Sequence, residues 1–254
     1  MNIFDLKGKV AVIFGGTSGI GKALSFGLAQ AGAEVVPISR DLSKVKQRIK
    51  ELKRFNKEHL EITADVSLKR QVAEALEKVL AKFKQVDILI NSAGIHLKKS
   101  SLKVSESEWD QILEVNLKGT FITCQVFGEQ MIKQRKGTIV NIASLGAYIA
   151  LSEATPYCVS KAGVLLLTKC LAVEWAKYHV RVNSISPGVF QTPLNEKILK
   201  DQSRLGRIIG HTPFGRLGKT SELIGAAVYL ASDASSFVSG SDIVVDGGFL
   251  AWGI

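Results

Sequence analysis

Apolar residues alternate between two patterns along the chain. Short, nearly continuous runs, "VAVIF" (10–14), "EVVPI" (34–38), "DILIN" (87–91), "TIVNI" (138–142), "RVNSI" (181–185) and "DIVVD" (242–246), read as strands covered on both faces. "HLEITAD" (59–65) reads as a shorter, weaker strand. Between the runs lie stretches such as 67–83, where Val72, Leu76, Val79 and Phe83 recur at the three- and four-residue spacing of one helix face. This alternation predicts an α/β fold, a doubly wound parallel sheet of about seven strands with helices on both faces. No internal repeat or low-complexity linker divides the 254 residues, so a single domain spanning 1–254 is expected. One long irregular stretch, residues 189–219, is predicted to be a flexible substrate flap, since structureless insertions of that length are usually functional.

Charge modifies this picture only slightly. Lys and Arg number 33 against 23 Asp and Glu, a formal charge of +10. A nucleic-acid partner, an anionic substrate or an anionic cofactor would each suit that excess. The densest basic run, 44–57, carries Val45, Ile49, Leu52 and Phe55 at helical spacing, so it reads as a solvated helix face. With no aromatic-basic recognition module, no nucleic-acid partner is expected. The three cysteines (Cys124, Cys158, Cys170) have no metal-type spacing, which fits a cytoplasmic protein without a metal site. The first residues run straight into a strand and no run of about 18 apolar residues occurs, so neither a secretory leader nor a membrane span is expected.

"VIFGGTSGIGKALSFGLAQAG" places Gly15, Gly19 and Gly21 between the first strand and a helix. Glycines there permit a tight turn and let backbone N–H groups approach a pyrophosphate at the positive end of the helix. At the end of the second strand, where a carboxylate would bond the ribose hydroxyls of NAD, stand Ser39 and Arg40. A hydroxyl followed by a guanidinium suits the extra phosphate of NADP(H), which is therefore the expected cofactor. Asp41, one position on, keeps NAD(H) possible.

Further motifs follow in order: Asp65–Val66, Asn91-Ser92-Ala93-Gly94, Asn116 in "VNLKGT", Ser144 in "NIASL", Tyr157 and Lys161 in "YCVSK", Pro187, Gly188 and Thr192 in "PGVFQT", and "VDGG" (245–248). Together with the glycine turn they resemble the short-chain dehydrogenase/reductase family over essentially the whole chain, especially its branch acting on gluconates and on carrier-bound 3-oxoacyl groups. Two positions depart from the family pattern: Phe14 stands where threonine is usual, and Ser92 replaces a second asparagine. The resemblance implies a Rossmann fold, with Asn116, Ser144, Tyr157 and Lys161 as catalytic residues. It implies cofactor contacts from Gly15, Thr17, Ser18, Gly19, Ile20, Gly21, Ser39, Arg40, Asp65, Val66, Asn91, Ala93, Gly94, Tyr157, Lys161, Pro187, Gly188, Val189 and Thr192. A homotetramer is also implied, with the helices around 109–135 and 155–178 in one interface and "GGFLAWGI" (247–254) in another. Docking of Phe249, Leu250 and Trp252 onto their own chain is the alternative.

Reducing a ketone requires a hydride on carbon and a proton on oxygen. Tyr157 is the candidate proton donor, and Lys161, one helical turn on, shares its face. At ~6 Å and an effective dielectric of ~20, its attraction for a phenolate is about 3 kcal/mol, which would draw the phenol from ~10 toward ~8. Ser144, at a strand's carboxyl end, can polarise the carbonyl. The resemblance gives Asn116 the task of holding a water that connects Lys161 to solvent.

For the substrate, "IHLKKS" sets His96, Lys98 and Lys99 near the expected cleft mouth, as in relatives acting on keto-gluconates. Ser144, Tyr148 and Glu153 are further candidates, with His211 and Arg216 near the pocket or its flap. A sugar acid or polyol is the first expectation and a 3-oxoacyl-carrier-protein the second. A non-catalytic NADP(H)-sensing protein is the alternative from another class.

Overall fold

Each apolar run becomes a strand of one seven-stranded parallel sheet in the computed structural model, which describes residues 2–55, 58 and 60–253. The strands are β1 (Val10–Phe14), β2 (Glu34–Ser39), β3 (Ile62–Thr63), β4 (Ile88–Asn91), β5 (Gly137–Ile142), β6 (Val180–Pro187) and β7 (Asp242–Val245). Their order is β3-β2-β1-β4-β5-β6-β7, so the winding direction reverses between β1 and β4. Brought in register by Val12 against both Val36 and Leu89, β1 lies at the centre of that reversal. His59 and Lys57, at the edges of two segments read from the sequence, lie outside the described residues.

Side chains alternate across the sheet and fill two cores. Val10, Val12 and Phe14 face one way, toward α3 (Lys69–Phe83), α5 (Gly119–Gln134) and α6 (Thr155–Trp175). Ala11 and Ile13 face the other, toward α1 (Gly19–Gln30), α2 (Leu42–Leu52) and α9 (Ile224–Ala231). This two-sided burial is why the strands carry no polar alternation. Phe14, the departure from the family pattern, is a core residue, its ring 5.6 Å from Phe127 in an edge-on arrangement. Asp87 fixes the bottom of the sheet: its carboxylate accepts the Val10 N–H at 2.9 Å and the Gln85 amide at 2.8 Å.

Four local outcomes differ from the sequence reading. First, β7 ends the sheet and is only half covered, with Val244 exposed on one face. Second, the stretch 189–219 is not structureless. It holds α7 (Glu196–Leu199) and α8 (Gln202–Gly210), the latter capped by Asp201, whose carboxylate accepts the Arg204 N–H at 3.0 Å. Third, α4 (Glu106–Leu113) does not run smoothly into α5; a π-helical turn, Glu114–Lys118, intervenes. Fourth, Thr155–Tyr178 is long and apolar enough by composition to cross a membrane. Here it lies along β6 with Lys161, Val164, Thr168 and Leu171 buried.

The aromatic residues after β7 pack on their own chain. The His211 ring, just past α8, stacks on Trp252 at 5.3 Å and meets Phe249 edge-on at 4.5 Å. This is the alternative expected from the sequence for two of the three aromatic and apolar residues near 250.

Phe127 has no exposed surface and joins α5 to the centre of the sheet. Phe127→Ala is expected to destabilise the fold by about 3–5 kcal/mol, measured as a lower urea midpoint at unchanged m-value.

Candidate active site

The turn between β1 and α1 is tight for a definite reason. Gly15 has φ +76°, and a Cβ on it would lie 2.7 Å from the Ala93 nitrogen at the end of β4. A Cβ on Gly21 would lie 2.2 Å from the Gly15 carbonyl oxygen. Side chains at either position are therefore excluded, and the first turn of α1 sits directly over the strand ends. Its backbone N–H groups face a cavity of ≈ 430 Å³ lined by Gly15, Ser18, Gly19, Ile20, Ser39, Arg40, Asp65, Val66, Ala93, Gly94, Tyr157, Lys161, Pro187, Gly188 and Thr192. The cavity occupies the reversal between β1 and β4, where ligands collect in such sheets. A glycine cradle under a helix amino end, with a cation at the far rim, fits a dinucleotide phosphate.

Several expected cofactor residues act at one remove. Thr17 is buried, and its carbonyl accepts a hydrogen bond from Arg48 at 3.1 Å. Arg48 belongs to the basic run read as a solvated face, yet it is 3% exposed, pairs with Glu51 and stacks on Phe26. Its place in the sequence, one residue before Ile49 on the apolar side of α2, was the only sign of burial. Asn91 turns into the protein rather than the cavity: its amide nitrogen donates to Asn141 at 2.8 Å and contacts the Cys124 sulfur at 3.3 Å. A side chain at the end of a strand points to one face or the other, and this one points inward. Val189 contributes its carbonyl to Gly218 at 3.0 Å instead of lining the cavity. Ile95, Leu194 and Asn195, which sequence reasoning missed, do line it. Thr192 lies against Gly19 and is held by Asn195 at 3.0 and 3.1 Å, so the chain after β6 closes over the glycine turn.

The adenosine end has a distinct charge arrangement. Asp41 caps α2 by accepting the Lys44 N–H at 3.1 Å, and the Ser39 hydroxyl is turned to the Asp41 backbone. Arg40 is largely exposed, 3.5 Å from Asp65. Burial works against ionisation of Asp65, but the Ser67 N–H and hydroxyl, with Arg40, hold its carboxyl below the usual range.

Tyr157, Lys161 and Ser144 converge at the other end. The Lys161 ammonium lies 5.8 Å from the centre of the Tyr157 ring and donates to the Ile142 carbonyl at 2.8 Å. Burial lowers Lys161 from 10.5 to about 8. Burial also raises the Tyr157 phenol, offset in part by the Ser144 hydroxyl. The expected net lowering of Tyr157 by Lys161 is thus overturned, because the same low-dielectric setting that strengthens attraction penalises the phenolate itself. The Ser144 hydroxyl accepts the Gly146 N–H at 3.0 Å at the start of the turn after β5.

Asn116 sits in the π-helical turn with no exposed surface. Its amide oxygen accepts the Ile95 N–H at 2.8 Å, and its amide nitrogen donates to the Ile95 carbonyl at 2.9 Å and to the Ser160 hydroxyl at 3.1 Å. Gly94 packs beside it: a Cβ there would lie 3.3 Å from that oxygen, a tight contact, and 3.7 Å from the Lys161 nitrogen, an ordinary one.

Of the substrate candidates besides Ser144, His96 lies beside the chemistry, its ring 4.6 Å from that of Tyr157. Burial and the charge of Arg204 lower His96 to about 4, so it is a neutral group at physiological pH. Lys98 pairs with Glu153 at 3.5 Å and Lys99 with Glu108 at 2.7 Å, so neither offers the free cation that the sequence suggested. Glu153 has φ +61°, a left-handed conformation that non-glycine residues seldom adopt. Tyr148 donates its hydroxyl to Asp242 at 2.8 Å and is thereby engaged away from Tyr157. Arg216 is bound by Glu222 at 2.6 Å, and His211 is held by the aromatic residues after β7.

Comparison with known proteins agrees with this geometry. A family model described as enoyl-(acyl carrier protein) reductase matches residues 15–250. A 2-dehydro-3-deoxy-D-gluconate 5-dehydrogenase of Dickeya dadantii is 39% identical over 252 residues, 99% of each chain. A 3-oxoacyl-[acyl-carrier-protein] reductase of Thermotoga maritima is 39% identical over 249 residues, covering 96% of this chain and 99% of its own. Among solved structures, a gluconate 5-dehydrogenase of Burkholderia cenocepacia in complex with NADP and tartrate superposes with a TM-score of 0.96 at 34% identity, covering 99% of both chains.

The depressed Lys161 carries a stability cost with a defined sign. Between about 8 and 10.5 the unfolded chain binds a proton that the folded one has lost, so stability rises with pH across that window and the full penalty, on the order of 3 kcal/mol, applies below it. Cofactor-free Lys161→Met is expected to be more stable than wild type at pH 7, with the advantage shrinking as pH climbs through the window. Urea melts at a series of pH values test this. A variant less stable than wild type at pH 7 would mean that the hydrogen bond to Ile142 outweighs the burial.

Proposed function

The chain belongs to the short-chain dehydrogenase/reductase family, and on that premise we propose that it interconverts a ketone and a secondary alcohol on a sugar acid, preferring NADP(H). It is a nicotinamide-dependent oxidoreductase acting on CH–OH groups of small molecules. The observation that carries the finer reading is the convergence of Tyr157, Ser144 and Lys161 at the strand-end cavity.

The nicotinamide, when bound, supplies or accepts the hydride. The residues Gly15, Ser18, Gly19 and Ile20 bind the pyrophosphate through the amino end of α1, and Thr192 closes over them. Tyr157 holds the proton destined for the carbonyl oxygen; its raised pKa keeps it protonated at neutral pH, as reduction requires. Once the proton has moved, the Lys161 ammonium on the same helical face attracts the phenolate. Ser144 donates to the developing oxyanion. Asn116 positions rather than reacts: it locks the Ile95 backbone and Ser160, the residue before Lys161.

Two arrangements support NADP(H) over NAD(H). The Asp41 carboxylate is occupied as a helix cap, and Arg40 stands exposed at the rim. The Burkholderia structure carries NADP, and its tartrate, a hydroxy acid, supports a carboxylate-bearing substrate. The equal identity to the Thermotoga enzyme favours, as second reading, a 3-oxoacyl thioester on an acidic carrier. Residues 189–219 would serve as the flap over either substrate. A cytoplasmic homotetramer is the assembly we infer, supported by Phe121, Val159, Leu166 and Val173 exposed along α5 and α6 and by the open edge of β7. Light scattering at monomer mass would sink it.

The deciding experiment is a set of initial rates with NADPH and with NADH on keto-gluconates, acetoacetyl thioesters and butane-2,3-dione. Turnover of a keto-gluconate, lost by a factor of about 10² or more in Tyr157→Phe, is the expected result. Arg40→Ala should weaken NADPH about tenfold and leave NADH nearly unaffected. Preferential turnover of the thioester would replace the sugar acid by the second reading.

A further inference from the structure

Ser18 stands at the amino end of α1, where a hydroxyl often caps the helix, but its side chain makes no capping bond. The first-turn N–H groups are thus left for a ligand. The turn itself is held from behind. The Gly15 N–H donates to the Ile38 carbonyl at 2.9 Å and the Gly16 N–H to the Ile13 carbonyl at 3.2 Å. The Ser25 hydroxyl donates to the Gly16 carbonyl at 3.0 Å, and Arg48 donates to the Thr17 carbonyl at 3.1 Å. In a trans peptide the C=O and the following N–H point opposite ways. Drawing the Thr17 carbonyl back toward α2 therefore turns the Ser18 N–H away from α2, and Ser18 lines the cavity. Rotated forward, the same carbonyl would present its negative end to a pyrophosphate.

Stability does not account for Arg48. It is almost wholly buried on the inward face of α2 with Val45, Ile49 and Leu52, and its Nε has no hydrogen-bond partner among the described residues. Its counter-ion, Glu51, is partly exposed and shared with Lys22 of α1 at 3.9 Å. A buried pair of this kind is commonly matched in stability by an apolar side chain of similar size. The Phe26 ring, its centre 5.1 Å from the guanidinium carbon, already offers such a side chain an apolar neighbour. What an apolar side chain cannot do is donate to Thr17.

We propose that Arg48 is a positioning residue for cofactor binding, setting from behind the direction and the donor strength of the Ser18 N–H that receives the pyrophosphate. This rests on the nicotinamide-dinucleotide reading above and is independent of the substrate. A charged donor polarises the peptide it bonds, so the N–H on the other side of that peptide becomes a stronger donor in turn. Two arginines thereby divide one task. Arg40, just before α2, serves the extra phosphate that distinguishes NADP(H), and Arg48, farther along the helix, serves the pyrophosphate common to both cofactors.

The test is fluorescence titration of the full chain with NADPH and, separately, with NADH, which reads binding without turnover. In Arg48→Met both dissociation constants are expected to rise about tenfold and by equal factors, while the urea midpoint of the protein without nucleotide stays near that of wild type. Arg48→Lys, which keeps a charged donor, should recover part of the affinity for both. If Arg48→Met does not fold, Arg48→Gln against Arg48→Lys makes the same comparison. A loss confined to NADPH would give Arg48 to the 2′-phosphate, and unchanged constants would make it a purely structural residue. Either result overturns the assignment and leaves the cofactor reading standing. A wild type that binds neither nucleotide overturns both.

Discussion

Everything in this site follows from how closely the first turn of α1 approaches the ends of β1 and β4. The Gly15 and Gly21 positions have no room for even a single carbon, and the carbonyl of one nearly touches the other. That contact sets the angle at which α1 leaves the sheet, and so the direction in which its amino-terminal N–H groups point. The crevice between β1 and β4 exists because the strand order reverses there, but the glycine turn is what gives it a floor able to receive phosphate. Arg48 holds this turn from outside through the Thr17 carbonyl, and Thr192 presses on it from above. The chain after β6 and a buried cation from α2 are thus both tied to one backbone bend.

The opposite end of the cavity works against the fold. Lys161 is an ammonium with a backbone carbonyl but, among the described residues, no carboxylate to compensate it, and Tyr157 is a phenol whose ionised form is disfavoured where it stands. Neither residue is placed where stability alone would put it. A ligand that offers negative charge to Lys161 would bind the folded chain alone, so ligand binding and stability are linked. Asn116 keeps this costly arrangement in order by satisfying both polar groups of the Ile95 backbone, which loops past the cavity without a strand partner of its own.

Much of the fold could be read from the sequence because two-sided burial leaves a strong signature. All seven strands were legible, and most of the motif residues at the strand ends line one cavity, Asn91 excepted. The misses share a cause: each depends on what lies opposite a residue in space. β7 has the composition of a central strand and the surroundings of an edge. Arg48 and Lys98 belong to charge runs that look alike, yet one is buried against a carbonyl and the other is neutralised by Glu153. α8 was hidden between glycines and prolines that interrupt the pattern on either side. For Tyr157 and Lys161 a pairwise attraction omits desolvation, and burial is the largest influence on the phenol.

The π-helical turn at Glu114–Lys118 has implications for how this chain can change length. A turn closed by i→i+5 bonds holds one residue more than an α-helical turn, so positions after it are rotated by about 100° relative to a continuous helix. The buried face of α4, marked by Ile112, and that of α5, marked by Phe127, are phased to this extra residue. Deleting a single residue here would leave composition, helicity and apolar content almost untouched. It would nonetheless swing Asn116 away from Ile95 and Ser160, or else turn one helix's apolar stripe to water. Loops of this protein can drift in length by single steps; this helix can do so only by whole turns, which makes the segment a fixed ruler between the sheet and the catalytic side chains.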